Sequence, residues 1–172
     1  MSATVPTLFQ WSTLRDVGTL VLNYRPPVPG RLMEVELTVL PGTWIRVWQA
    51  DNAKDYFCHG LTFGGKHCPS GPISPMSGAP VELILSACYD EVNPESAASV
   101  SDVLIWRDAG LMGTPHSAIL LSPVVNFNFE VAQLDYSSIL RTKNGMLAEA
   151  NATLEDLVNV YGEMYNIYRR RS

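Results

Sequence analysis

The sequence predicts an α+β fold in which a central antiparallel sheet packs against helices. Three stretches alternate apolar and polar residues with a period of two, as half-buried strands do: 33–39, 44–48 and 126–131. Two further stretches, 81–88 and 154–161, repeat apolar residues at helical spacing. The strands and helices come in blocks along the chain and do not alternate, which disfavours a doubly wound parallel sheet.

The composition fits one domain spanning residues 1–172, long enough to bury a core. Twelve Lys and Arg against seventeen Asp and Glu give a net charge of −5, which argues against a nucleic-acid binder and against adhesion to anionic membranes. No apolar run approaches the ~20 residues that span a bilayer. Met1–Gln10 lacks a basic stretch followed by an apolar one, as a secretory signal requires. We therefore expect a cytoplasmic protein, or one exported without a classical signal peptide.

Residues 1–50 are expected to form N-terminal strands and an extension. The proline-rich stretch 25–30 cannot be helical. The strands at 33–39 and 44–48 are separated by Pro41-Gly42, which predicts a hairpin. Residues 51–80 then hold five glycines and four prolines, so this segment is expected to be mostly loop.

The second half of the chain predicts short elements. One helix carries the apolar face formed by Val81, Ile84, Leu85 and Cys88. Thr153 and Asp156 form a variant of the capping box before a second helix. Further strands are predicted at 103–106, 117–121, 138–142 and 165–168, and a turn at 108–115.

Three cysteines, an odd number, disfavour a disulfide scaffold and raise the question of a reactive thiol. Cys88 lies on an apolar helix face and is expected in the core. Cys68, between His67 and Pro69, is expected to be a surface or structural residue. Cys58 lies where a loop is expected to meet a helix, and a helix N-terminus lowers a thiol pKa and offers amides to an oxyanion. The alternative for Cys58 is a buried structural cysteine.

A thiolate nucleophile needs a base, and the chain has three histidines. His59 is expected to be a poor partner because neighbouring side chains usually diverge, and the position of His67 is undefined. His116 opens an apolar strand and is the candidate base, with an exposed turn histidine as the alternative. A third polar group is needed to hold the imidazole. The candidates are the polar residues that alternate along the next strand: Asn126, Asn128 and Glu130. The alternative is that this polar face of the strand is simply exposed to solvent.

In order and spacing, three motifs resemble papain-like cysteine hydrolases, above all the NlpC-like group and the CHAP amidases. The motifs are Cys58-His59-Gly60-Leu61, Ser101–Trp106 and His116–Leu120. The resemblance implies a papain-like core over residues 51–172. It also implies that Cys58 attacks a carbonyl, that His116 moves the proton and that Asn128, or else Asn126, orients the ring. Phe57 stands where the family often has an acidic residue, and a further oxyanion donor is expected upstream, from Gln49 or Asn52.

The function that this resemblance implies is cleavage of an amide bond through a thioester acyl-enzyme. A peptide or a peptidoglycan-like amide is the expected substrate, and an injected effector would have an inhibitor or immunity protein as its partner. The phosphate-binding P-loop and dinucleotide motifs are absent, and no cofactor or metal is expected.

Two alternatives stay open at this point. One is a catalytically inactive α+β module that binds a partner through exposed tryptophans. Another is a small zinc protein, because four metal-ligating side chains lie within eleven residues: Cys58, His59, His67 and Cys68. Asp102 could be mistaken for the acid of a triad, but it is expected to close a turn through backbone amides.

Overall fold

The computed structural model describes residues 7–107, 114–128 and 131–172, with the backbone alone at 127–128 and 131–132. These residues form twelve strands and three α-helices. In chain order the elements are β1 (Phe9–Leu22), β2 (Val28–Leu37), β3 (Trp44–Ala50), α1 (Cys58–Thr62), β4 (Ile73–Pro75), α2 (Ala79–Cys88), β5 (Tyr89–Glu91), β6 (Val103–Trp106), β7 (His116–Ser122), β8 (Val125–Asn128), β9 (Val131–Leu134), β10 (Ile139–Lys143), β11 (Glu149–Thr153), α3 (Leu154–Tyr161) and β12 (Tyr165–Arg170).

The strands pair antiparallel throughout and form three sheets. The first has four strands in the order β1-β2-β3-β4, and the second has six in the order β11-β10-β7-β6-β12-β5. The third is the separate pair β8-β9. In the six-stranded sheet β7 therefore lies between β6 and β10, and its first residue, His116, pairs with Trp106.

The predicted α+β fold with a papain-like core is wrong, because the chain is mostly β and its three helices do not form a layer against a central sheet. Much of the strand content could not be predicted because those strands show no clear period of two in the sequence. Two register shifts interrupt β1, between Gln10 and Arg15 and between Asp16 and Gly18, and a bulge breaks the alternation of faces. β4 and β5 have only three residues each, too few to show a period.

Several local predictions are confirmed. β2 and β3 form the predicted hairpin, with Val35 opposite Ile45. The apolar face of α2 is buried as expected, and the predicted capping box of Thr153 and Asp156 opens α3. Asp102 accepts a hydrogen bond from the Ser99 amide at 2.8 Å, as a turn-closing residue does. It also pairs with Arg169, whose Nη2 lies 2.8 Å from its carboxylate.

The strand β6 serves two hydrophobic cores because its successive side chains face opposite sides of the sheet. Val103 and Ile105 belong to the cluster that β2, β3 and α2 also fill, while Leu104 and Trp106 belong to the cluster beneath α3. Burial on both faces makes β6, and the neighbouring β7 that carries His116, a rigid support. Among the described residues, no helix is both long enough and apolar enough to cross a membrane.

Cys88 lies in the first of these cores, 3% exposed, as predicted. Cys68 is buried in the same cluster, so of the two predicted possibilities it is a structural residue and not a surface one. The predicted turn at 108–115 lies largely outside the described residues, as does Glu130.

Candidate active site

The helix α1 places Cys58 at its first position. The Phe57 amide, just before the helix, donates to Ser74 Oγ at 2.8 Å, which ties the start of α1 to β4. A Cβ at Gly60 would lie 2.8 Å from the carbonyl oxygen of Ile73, closer than packed atoms approach. Glycine at position 60 therefore lets α1 lie against β4 and fixes the position of the Cys58 thiol, which is 7% exposed.

The imidazole of His116 is held by Thr142, on the neighbouring strand β10. His116 Nε2 lies 2.8 Å from Thr142 Oγ1, and Thr142 Oγ1 donates in turn to Asn144 Oδ1 at 3.5 Å. This contact occupies the Nε2 edge of the ring, so Nδ1 is the nitrogen left for the Cys58 thiol.

Both nitrogens of His59 also have partners, and both partners can accept. Nε2 lies 2.8 Å from the Thr114 carbonyl oxygen, and Nδ1 lies 2.8 Å from Ser117 Oγ. Ser117 Oγ donates its single proton to Thr62 Oγ1 at 2.8 Å, so it can only accept from Nδ1. A histidine that donates from both nitrogens is an imidazolium, and this one is 5% exposed.

Together the two imidazoles set the protonation state of Cys58. Burial on its own raises the pKa of the Cys58 thiol, but the charge on His59, together with the hydrogen bond and charge of His116, holds this pKa well below its ordinary value. Burial on its own lowers the pKa of His59, but the charge of Cys58 and the Thr114 carbonyl raise it overall. The prediction that His59 diverges from Cys58 is therefore wrong.

The thiol faces a cleft of about 230 Å³ with aromatic walls. The ring of Tyr24 stacks on that of Phe57, with centroids 5.2 Å apart and planes 6° from parallel. Trp48 packs against the same phenyl ring at 5.1 Å. Met76 and Pro115 complete the apolar lining. A small apolar group can therefore reach the sulfur while most of its surface leaves water.

A charged cluster lies near Cys58, which Lys143 approaches closely enough to interact with its charge. Glu149 accepts hydrogen bonds from Tyr56 and from Lys66, whose Nζ is 3.1 Å away, and pairs with Arg141 at 3.4 Å. Lys143 Nζ donates to the Gly145 carbonyl at 2.9 Å and lies 4.7 Å from the centre of the Tyr56 ring. Burial lowers the pKa of Lys143, while the charges of Asp55, Glu149 and Cys58 oppose this change.

The structure does not bring the predicted asparagines to His116. Asn126 and Asn128 belong to β8, which pairs with β9 in a separate sheet, whereas β7 pairs with β6 and β10. The Asn126 amide donates to Asp135 Oδ2 at 3.3 Å, and the side chain of Asn128 lies outside the described part. The assumption that this strand pairs with β7 is therefore wrong, and Thr142 occupies the position expected for an asparagine.

The two predicted oxyanion donors lie away from the thiol cleft. Gln49 Nε2 donates to the carbonyls of Ser70 and Gly71, at 3.2 and 2.9 Å. Asn52 is exposed, and its Oδ1 accepts from the Lys54 amide at 3.2 Å. Neither residue lines the cleft. The amides in the first turn of α1, which begins at Cys58, have no side-chain capping hydrogen bond and are the remaining candidate donors.

The four residues of the zinc alternative do not come together. His67 is exposed, and Cys68 Sγ lies 3.2 Å from Ser70 Oγ in a different environment from Cys58. Within 7–107, 114–128 and 131–172, no group of three or more histidine, cysteine or acidic side chains is placed to hold a metal ion.

Three residues of the site were missed by the sequence interpretation: His59, Thr142 and Tyr161, whose ring stacks on the imidazole of His116. Thr142 was predicted to lie on a strand, but no sequence signal tells that this strand pairs with the one opened by His116. Two features of the sequence could have pointed to the missed part of the site. His59 and Ser117 are the sequence neighbours of the proposed nucleophile and base, and Tyr161 lies on the predicted apolar face of α3.

Comparison with known proteins adds no relative. No family model matches this chain, and neither a curated protein nor a solved structure matches it. The resemblance to papain-like hydrolases therefore stays a prediction that rests on the sequence motifs.

Proposed function

We propose that this protein is a cysteine hydrolase that cleaves amide bonds, with Cys58 as nucleophile and His116 as general acid and base. One observation carries the proposal: the Cys58 thiol lies between two imidazoles, its pKa is held well below the ordinary value, and it faces a cleft. A low-pKa, accessible thiolate is what a cysteine nucleophile needs. Thr142 supports this assignment by leaving Nδ1 of His116 for proton exchange.

The reaction has two halves. In the first, the Cys58 thiolate attacks the carbonyl carbon, a C–S bond forms and the carbonyl electrons move to oxygen. Protonated His116 gives its proton to the amide nitrogen as the C–N bond breaks, leaving a thioester and a free amine. In the second half, neutral His116 takes a proton from water, the hydroxide attacks the thioester, and the sulfur leaves as thiolate.

His59 has a different role in this scheme. Its two nitrogens are fixed on Thr114 and Ser117, so it cannot turn to deliver a proton to a leaving group. It supplies a buried positive charge beside the sulfur, and such a charge favours the thiolate over the thiol. The uncapped amides of Cys58 and His59 support the assignment by offering donors to the oxyanion.

The first experiment tests the nucleophile and the base. The wild-type chain and the variants Cys58→Ala, His116→Ala and His67→Ala are compared for the burst of nitrophenolate from 4-nitrophenyl acetate. They are also compared for cleavage of a mixed peptide-amide library followed by mass spectrometry. We expect Cys58→Ala and His116→Ala to lose peptide cleavage with a nearly unchanged melting transition. His67→Ala, an exposed histidine, is expected to match the wild type.

Retained peptide cleavage in either of the first two variants would overturn the proposal. Equal and slow iodoacetamide labelling of all three thiols, with no cleavage by the wild type, would instead support the alternative of a partner-binding module without catalysis.

A further inference from the structure

We propose that a second groove, continuous with the thiol cleft, binds apolar side chains on the acyl side of a peptide substrate. This inference rests on the proposed function and specifies its substrate class. The groove has a volume of about 620 Å³. Its floor is formed by β1, β2 and β3 through Leu20, Leu32 and Trp44, and its wall by the start of α2, including Leu83.

The groove and the thiol cleft share part of their lining. Met76 and Ser77 contribute to both. The two are also joined underneath, since Leu22 lines the cleft and Leu20 the groove, and both pack against the cluster that contains Trp48 and Phe57. A chain bound at the thiol can therefore continue past Met76 into the groove along a continuous apolar surface.

The chemistry of the groove favours apolar occupants over cationic ones. Leu20, Leu32 and Trp44 are partly exposed there, and Leu83 is 40% exposed. Among the described residues, none of those that line the groove is acidic and only Arg46 is charged, although the chain carries five more acidic than basic residues. A cationic side chain would find no partner, whereas an apolar one would cover carbon surface that otherwise faces water.

We assign the groove to the acyl side, which the esters below test because the acyl group is the only part that varies between them. The thiol cleft, at about 230 Å³, has room for one small group next to the scissile carbonyl. The larger volume lies beyond Met76, where the preceding residues of a peptide would continue. We therefore expect the best substrates to carry a small residue at the scissile carbonyl and apolar residues before it.

The test uses 4-nitrophenyl esters, because acylation of a thiolate by an activated ester does not depend on amide cleavage. The acyl groups are acetyl-Leu-Leu-Gly, acetyl-Glu-Glu-Gly, acetyl-Lys-Lys-Gly and decanoyl, and the rate of the nitrophenolate burst is divided by the rate with free cysteine. We expect acetyl-Leu-Leu-Gly to acylate Cys58 at least about tenfold faster than either charged peptide.

The variant Leu83→Glu places a charge in the groove at a position that already tolerates water. It is expected to reduce the preference for acetyl-Leu-Leu-Gly over the charged peptides several-fold. The matched control is Leu147→Glu, at a leucine 68% exposed that does not line the groove. This control is expected to retain the full preference.

Equal burst rates for the apolar and charged peptides would overturn the inference, as would an unchanged preference in Leu83→Glu. If the decanoyl ester reacted faster than the acetyl-Leu-Leu-Gly ester, the preferred occupant of the groove would be a fatty acyl chain and not a peptide. This result would overturn the inference as stated. Failure of the proposed function would give a different result: Cys58 would be acylated with the expected preference, but no amide would be cleaved.

Discussion

The ring of Tyr161 lies flat on the imidazole of His116, with centroids 3.8 Å apart and planes 3° from parallel. Tyr161 ends α3, and its hydroxyl donates to Asn144 Oδ1 at 2.9 Å, the same oxygen that accepts from Thr142. Stacking on one face and the Thr142 hydrogen bond at one edge together fix both the plane and the rotation of the imidazole. α3 thus acts on the site through the position of the base.

Tyr161→Ala is expected to lower kcat/KM for peptide cleavage by about tenfold or more, because the imidazole of His116 gains freedom to tilt away from Cys58. Tyr161→Phe keeps the stacked ring and loses only the hydrogen bond to Asn144, so it is expected to stay within a few-fold of the wild type. Steady-state kinetics on one peptide amide provide the comparison. Equal losses in both variants would show that the hydroxyl, and not the stacking, matters.

Thr142→Val tests the hydrogen bond that orients His116. The valine has nearly the same shape but forms no hydrogen bond, so Nε2 loses its partner and the ring can present either nitrogen to the thiol. We expect kcat to fall by about tenfold or more with little change in KM. Thr142→Ser restores the hydroxyl and is expected to recover most of the activity. A serine variant as slow as the valine variant would contradict the assigned role.

His59→Gln tests the buried charge beside the sulfur. The imidazolium favours the thiolate, so its removal is expected to raise the pKa of Cys58 and move the pH midpoint of iodoacetamide labelling upward. The shift should be smaller than loss of both imidazoles would give, because His116 still faces Cys58 and lowers the pKa of its thiol.

The control for this prediction is His67→Gln, which makes the same substitution at an exposed histidine of the same segment. Labelling of Cys58 in the control is expected to keep the wild-type midpoint. If His59→Gln also kept it, His59 would not be the charge that lowers the thiol pKa. The labelled residue is identified by peptide mapping, since Cys68 and Cys88 are also free thiols.

The local elements of this chain were more predictable from sequence than their arrangement. The face of α2, the capping box of α3 and the β2-β3 hairpin depend on residues a few positions apart, and each was predicted correctly. The sheet order depends on contacts between distant segments: β12 pairs with both β6 and β5. No periodicity encodes such pairings, which is why the fold class was wrong.

The candidate site divides in the same way. Cys58 and His116 were each selected by local context, a loop-to-helix junction and the start of an apolar strand. Which side chain orients His116 depends on whether β8 or β10 lies beside β7. The adjacent strand in sequence was the natural choice, but β8 turns away to pair with β9, and β10 supplies Thr142.

The two other cysteines allow a prediction about stability that is independent of catalysis. Cys88 is 3% exposed in the core shared by both large sheets, and burial raises the pKa of its thiol, which keeps it neutral. Cys88→Ser is expected to lower the free energy of unfolding by about 1–3 kcal/mol, because a hydroxyl is costlier than a thiol to bury without a hydrogen bond.

Cys68→Ser makes the same chemical change at a residue of the same core, but there Ser70 Oγ lies 3.2 Å from the sulfur and can pair with the new hydroxyl. Its loss is expected to be smaller, and urea unfolding of the two variants at one pH measures both. Equal losses would show that the hydrogen-bonding environment does not separate the two sites.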